Sequence, residues 1–76
     1  MKKTLILQQD DCAPDALEFF LKDFEKMFSM TLQEFKKQAL RREVDDGYEI
    51  IYTRDDIEVT IEAGDPWYKV YRIERD

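Results

Sequence analysis

Residues 47–62 read GYEIIYTRDDIEVTIE, and this stretch decides the fold. Two runs alternate apolar and polar residues around a polar tetrad at 53–56, which is the pattern of a half-buried β-hairpin. We place a two-residue turn at Arg54-Asp55. The pairs predicted on the apolar face are then Tyr52 with Ile57, Ile50 with Val59 and Tyr48 with Ile61. The opposite face is acidic, so the hairpin needs a cover on its apolar side only.

Two further strands are predicted around the hairpin. Residues 2–9 alternate well enough for a short strand, with Leu5 and Leu7 on the same face. Residues 67–74 alternate again after a turn that contains glycine and proline. The pairs predicted for this last strand are Tyr68 with Ile61 and Val70 with Val59. The N-terminal strand could take an edge or an inner position in the sheet.

Two amphipathic helices are predicted between the first strand and the hairpin. Apolar side chains in residues 14–28 recur at the i, i+3, i+4 and i+7 spacing of one helix face. Thr31 and Glu34 have the spacing of a capping box, in which each side chain bonds the other residue's backbone N–H. A second helix is therefore predicted over 32–43, with Leu40 on its inner side.

The predicted order of elements is β-α-α-β-β-β. It indicates an α+β fold, an antiparallel sheet with an αα-hairpin packed on one face, in a single small domain over residues 1–76. A domain of 76 residues is marginal on its own, and a single Cys excludes an intrachain disulfide. A dense aromatic core, a partner chain, or both must supply the missing stability. The lone thiol and the absence of a signal-like apolar run indicate a cytoplasmic protein.

The net charge of −6 is unevenly distributed along the chain. Residues 44–66 carry a net charge of −7, because they contain eight carboxylates and a single basic residue, Arg54. Such a segment repels nucleic acid and anionic membrane and attracts basic protein surfaces. The basic pairs at 36–37 and 41–42 are interpreted as the solvated face of the second helix rather than as a nucleic-acid site.

No motif in the sequence indicates catalysis, a cofactor or a metal. There is no His and one Ser, so the usual nucleophile and base pairs are missing. Cys12 precedes a helix start, but the charges of Asp10, Asp11 and Asp15 oppose thiolate formation. The remaining Asp pairs, at 45–46 and 55–56, are interpreted as turn residues rather than calcium ligands. We therefore expect no enzyme.

The outer face of the sheet is the predicted binding surface, because aromatic anchors within charged surroundings are typical of interfaces. The predicted partner-binding residues are Glu49, Ile51, Asp55, Asp56, Glu58, Glu62, Trp67 and Tyr71. The three glutamates are expected to be exposed. An ordinary solvated face with cross-strand aromatic pairs is the competing interpretation.

These features predict a non-enzymatic protein that docks on a basic protein surface, without binding nucleic acid directly. Inhibitors, immunity proteins, antitoxins and phage-encoded anti-defence proteins share this small, acidic profile without catalytic motifs. Their targets often bind nucleic acid, so an acidic patch could occupy a phosphate-binding groove and act as a nucleic-acid mimic. The alternative is a small structural homodimer whose acidic face has no partner.

Overall fold

The computed structural model describes residues 2–9, 15–62 and 68–74. Along these residues the chain forms β1 (Lys2–Gln8), α1 (Ala16–Phe28), α2 (Leu32–Gln38), β2 (Leu40–Val44), β3 (Glu49–Arg54), β4 (Ile57–Glu62) and β5 (Tyr68–Glu74). The strands form one antiparallel sheet in the order β1-β5-β4-β3-β2, and α1 and α2 cover one of its faces. The α+β fold and the predicted succession of elements are confirmed, and the structure adds one strand, β2.

The core lies between the helices and the central strands. Its buried side chains come from both helices, β4 and β5, and are Phe20, Phe24, Leu32, Phe35, Ile57, Val59 and Val70. Phe24 of α1 meets Phe35 of α2 edge-on, with 5.6 Å between the ring centroids. Such aromatic pairs contribute stability beyond that of the apolar area they bury. A chain of 76 residues can therefore form a core from few side chains. The aromatic stripe predicted for the first helix thus supplies the cover of the hairpin.

The corner between the helices has the predicted capping box. Thr31 Oγ1 accepts a hydrogen bond from the Glu34 backbone N–H at 3.1 Å, and the Thr31 N–H donates to Glu34 Oε1 at 3.3 Å. Before it, α1 ends at Phe28, and the C-cap residue Ser29 has a left-handed backbone with φ 56 and donates its N–H to the Glu25 carbonyl. The chain can therefore end one helix and begin the next within three residues.

The second helix is shorter than predicted. It ends at Gln38, and Ala39 is already extended, with φ −96 and ψ 157. Residues 40–44 instead pair with β3, from Leu40 opposite Thr53 to Val44 opposite Glu49. The edge of the hairpin offers these residues a full ladder of backbone hydrogen bonds, which overrides their moderate helix propensity. Leu40, predicted on the inner side of a helix, is 79% exposed.

The hairpin turn lies one residue later than predicted. Asp55 and Asp56 form it, and Asp55 has a positive φ of 55, which Asp tolerates better than Arg. Tyr52 consequently pairs with Val59, and Ile50 pairs with Ile61. A shift of two residues between partners leaves the side chains of β3 and β4 on their predicted faces, since side chains alternate with period 2.

The last strand pairs as predicted, and the first strand departs from its prediction. Val59 faces Val70 and Ile61 faces Tyr68. β1 takes an edge position beside β5, where a bulge at residue 6 shifts the register between Leu5 and Leu7. Leu7 therefore faces Val70 of the core, whereas Leu5 faces Tyr71 on the opposite side of the sheet. The prediction that Leu5 and Leu7 share a face is wrong, because one extra residue reverses the alternation.

Candidate functional site

The face of the sheet opposite the helices, here called the outer face, holds most of the predicted site. The register places Glu49 opposite Glu62, Glu58 opposite Tyr71, and Ile51 opposite Thr60. All of these lie on the strand positions that alternate with the core residues Val59 and Val70. The hairpin and β5 therefore bring five of the predicted residues together: Glu49, Ile51, Glu58, Glu62 and Tyr71.

Glu58 is buried, which contradicts the expectation that it is exposed. The residue is 4% exposed, and its Oε2 lies 2.8 Å from Lys3 Nζ. Lys3 comes from β1 and reaches over β5, where its ammonium lies 6.0 Å from the centre of the Tyr71 ring. The ion pair offsets the cost of removing this carboxylate from water. Glu58 thus ties the edge strand to the middle of the sheet and offers no free charge to a partner.

The isoleucine side chains of the outer face, including the predicted anchor Ile51, are also covered within the chain. Ile51 is 5% exposed and Ile73 is 7% exposed. Ile51 lies beside Arg42, and Ile73 lies beside Lys3. The stems of such long basic side chains can cover apolar neighbours while their charges stay in water. Ile51 is therefore buried within the outer face and is not an exposed anchor.

The outer face is balanced in charge, although the hairpin alone is acidic. On the described strands its acids are Glu49, Glu58 and Glu62, and its bases are Lys3, Arg42 and Lys69. The prediction of an acidic face treated the hairpin without its neighbours. Because residues 40–44 form β2 and not a helix turn, Arg42 lies directly beside β3. The surplus of negative charge is therefore not spread over the whole of this face.

That surplus lies at one end of the sheet. The group here called the acidic end consists of Asp45, Asp46, Tyr48, Glu49 and Glu62. Glu49 and Glu62 face each other directly across β3 and β4, and both are half-buried. Asp45 and Asp46 are exposed in the adjoining turn. Among the described residues, none of these four carboxylates forms an ion pair.

The turn between β2 and β3 presents Tyr48 to solvent. Asp46 and Gly47 have φ values of 56 and 89, and the Tyr48 N–H donates to the Asp45 carbonyl at 3.1 Å. Positive φ at both central residues is the requirement of a type I′ turn. Tyr48 is 54% exposed, so its predicted place opposite Ile61 in the apolar face is wrong. The Asp-Gly dipeptide at 46–47 is the sequence signal that could have placed Tyr48 in the turn.

Asp55 and Asp56 lie at the opposite end of the sheet from the acidic end. Both are exposed in the β3–β4 turn. Asp55 lies 3.9 Å from Arg54, and Asp56 lies 3.9 Å from Arg72, at the outer limit of an ion pair. These two aspartates are therefore separated from Glu49 and Glu62 and are partly neutralised. Trp67, the remaining predicted residue, lies outside the described residues, as do Asp10, Asp11 and Cys12.

The edge formed by β2 and the end of α2 is basic. Lys36 lies 5.4 Å above the Tyr52 ring, and Arg41 bonds Glu43 at 2.8 Å. The hydrogen bond that Arg41 donates to Glu43 raises the pKa of the Arg41 guanidinium, and a hydrogen bond with Tyr52 adds to the effect. Arg41 is therefore a permanent cation at this edge. Arg41 and Arg42 were both predicted on the second helix, and both lie in β2 instead.

A groove of about 440 Å³ lies between α1 and α2. Leu17, Leu21 and Leu32 form part of its apolar lining. Its rim carries both signs of charge, including Glu18 and Lys22, which pair with each other at 3.3 Å. Its polar lining includes Glu25 and Thr31, and the Thr31 hydroxyl already takes part in the capping box with Glu34.

The described residues contain no group of three or more side chains that could hold a metal ion. No helix in the part of the chain that the structure describes is long and apolar enough to cross a membrane. No protein-family model, curated protein or solved structure matches the chain.

Proposed function

We propose that the chain is a non-enzymatic cytoplasmic binding protein that docks its acidic end on a basic surface of a partner protein. The observation that carries this proposal is the group of four carboxylates that form no ion pair with another described residue, at the end of the sheet where Tyr48 is exposed. A tyrosine surrounded by charge is a common interface anchor, because its ring is apolar and its hydroxyl bonds polar groups.

The arrangement of Glu49 and Glu62 supports the same proposal. Like charges directly opposite each other in a sheet destabilise it, by about 0.2–1 kcal/mol. The neighbouring Asp45 and Asp46 add repulsion instead of relieving it. A basic partner surface would neutralise all four carboxylates at once, so binding would gain what folding loses. A purely solubilising set of charges has no need to be so concentrated.

Proteins that bind nucleic acid are the class of partner that this charge fits best. Their phosphate-binding grooves concentrate Lys and Arg side chains. The carboxylates of the acidic end would occupy the positions of phosphates, and the bound protein would block the groove. An inhibitor, immunity protein, antitoxin or phage anti-defence protein would each work in this manner. In this proposal the chain itself does not bind nucleic acid.

Affinity capture with matched variants tests the proposal. The immobilised wild-type chain is compared with the Glu49→Gln/Glu62→Gln variant in lysate of the native host, at low and moderate salt. The Glu18→Gln/Glu25→Gln variant, changed at exposed positions of α1, is the control with the same net charge. We expect a basic partner that the wild type and the control retain, and that the acidic-end variant loses. Capture should weaken as salt rises, because the Debye length is about 8 Å at physiological ionic strength.

Two results would contradict the proposal. The first is recovery of no basic partner at either salt concentration. The second is equal loss of the partner from both variants, since only total charge would then matter. In the second case the acidic end would be a device for solubility.

A further inference from the structure

The edge of β2 is a strand edge that is open for pairing. Leu40–Val44 pair with β3 on one side, and no described strand lies on the other. An open edge carries a row of backbone donors and acceptors that can pair with another chain. The register between β2 and β3 is regular over all five residues. This edge is therefore geometrically suited to extend the sheet.

The other edge of the sheet is protected by features that β2 lacks. The bulge at residue 6 interrupts β1, and the exposed Lys2 and Lys3 lie at its start. Bulges and lysines are the usual means by which edge strands avoid pairing. β2 has no bulge, and it carries charges of both signs, with Arg41 and Glu43 on the same face. The two edges thus differ in whether another strand can join them.

The sequence of β2 is complementary to itself when it is read antiparallel. Around a two-fold axis at Arg42, Arg41 faces Glu43 of the second copy, and Leu40 faces Val44 of the second copy. The first contact joins opposite charges that also pair within each chain at 2.8 Å, and it occurs twice by symmetry. The second covers Leu40, which is 79% exposed in the single chain. Opposite charges and apolar pairs are the cross-strand contacts that stabilise sheets.

One contact opposes this pairing. Arg42 would face its own copy at the axis, on the outer face of the sheet. Each Arg42 has Glu49 as a diagonal neighbour on β3, and solvent reaches the exposed Arg42 side chain. Screening by water and by Glu49 reduces this repulsion. The repulsion that remains keeps the association weak.

We propose that two copies of the chain pair through antiparallel β2 edges and form one continuous ten-stranded sheet. The contacts that hold the dimer are the Leu40–Val44 and Arg41–Glu43 pairs between the copies. The dimer is independent of the partner proposed above, because it uses the β2 edge and not the carboxylates of the acidic end. It forms in a solution of the purified chain alone.

Charge reversal tests this pairing in sedimentation equilibrium at about 10–500 µM chain, the range expected for small interfaces. Arg41→Glu and Glu43→Arg each place like charges opposite each other twice, so each should weaken the dimer about tenfold. The double variant R41E/E43R restores opposite charges and should return association to the wild-type level. Overall repulsion cannot explain this pattern, because R41E raises the net negative charge and E43R lowers it.

The exposed apolar contact has its own matched pair of variants. Leu40→Lys should weaken the dimer, whereas Phe19→Lys should leave it unchanged. Phe19 is 63% exposed on α1, and α1 packs against β1 at the opposite edge of the sheet from β2. Urea denaturation checks that each variant folds. A wild-type chain that stays monomeric over this range would overturn the proposal. Failure of R41E/E43R to restore association, or equal effects of the two lysine variants, would also overturn it.

Discussion

Ser29 holds a backbone conformation that a residue with a side chain adopts at a cost. Its φ of 56 and ψ of 30 lie in the left-handed region, at the position where helices most often end in glycine. We expect Ser29→Gly to stabilise the fold by about 0.5–1 kcal/mol, because glycine enters this region without strain. Urea denaturation measures the change. A loss of stability would mean that the Ser29 side chain makes a contact that outweighs the strain.

Glu58 shows why single-residue exposure was hard to predict from sequence. Its strand position alternates correctly, so the outer face was the right prediction. Its burial depends on Lys3, which is 55 positions away in the chain and reaches it only after β1 has joined β5. Local alternation gives the direction of a side chain but contains no information on such long-range neighbours.

The ion pair of Glu58 gives a second prediction at this scale. Glu58→Gln removes the charge that Lys3 pairs with, and we expect a loss of about 1–3 kcal/mol in the free energy of unfolding. The control is Glu18→Gln, which breaks the exposed pair with Lys22, where both side chains are 66% exposed. That change should stay within about 0.5 kcal/mol. Equal effects of the two substitutions would show that the Lys3–Glu58 pair contributes nothing special.

At the scale of elements, the helix corner and the aromatic core differ in what they contribute. Thr31→Ala removes a cap from α2, and we expect a cost of about 1 kcal/mol. Phe24→Ala leaves a cavity where a side chain with 0% exposure packs against Phe28 and Phe35, and we expect about 3–5 kcal/mol. Urea denaturation gives the order of the two. A milder effect of Phe24→Ala would contradict the assignment of the core.

The elements that sequence predicted well are those with strong local signals. The α1 stripe and the capping box of α2 depend on residues within one or two turns of each other. The pairing of β4 with β5 follows from alternation, and it was confirmed through Val59 and Val70. The C-terminal part of the predicted second helix is absent, because residues 40–44 pair with β3 instead of forming a helix.

The turn positions were the other source of error. Alternation alone predicts the hairpin turn at Arg54-Asp55, because it contains no information on which residue tolerates a positive φ. Asp55 does so in the structure, as do Asp45 and Asp46 before Gly47. The residues that tolerate a positive φ thus fix the position of each turn, and the position of the turn fixes the strand register. They also decide whether Tyr48 lies in the core or on the surface.

At the scale of the whole molecule, charge is segregated by the fold rather than by the sequence alone. The segment 44–66 carries −7, but β2 and β5 place basic side chains beside its middle. What remains uncompensated is the acidic end, on the far side of the sheet from Asp55. The candidate site is therefore the acidic end and not the whole outer face. The sequence alone could not show this, because the neighbours of each strand depend on the order of strands in the sheet.

Removing the repulsion at the acidic end should stabilise the fold. Glu49→Gln/Glu62→Gln converts a directly opposed pair of like charges into a neutral pair, and we expect a gain of about 0.2–1 kcal/mol in the free energy of unfolding. The gain should shrink as salt rises, since added ions screen the repulsion in the wild type. Urea denaturation at two salt concentrations measures it. A destabilised variant would mean that these carboxylates bond groups of the chain itself.

Zero-length cross-linking with a carbodiimide tests the central claim most directly. This reagent joins a carboxylate to a lysine amine only when the two are in contact, so it reports which acids touch the partner. In host lysate, we predict cross-links from Asp45, Asp46, Glu49 or Glu62 to lysines of a basic protein, and their loss in high salt. Cross-links confined to the acids of α1, or to Asp55 and Asp56, would contradict the claim that the acidic end is the docking site.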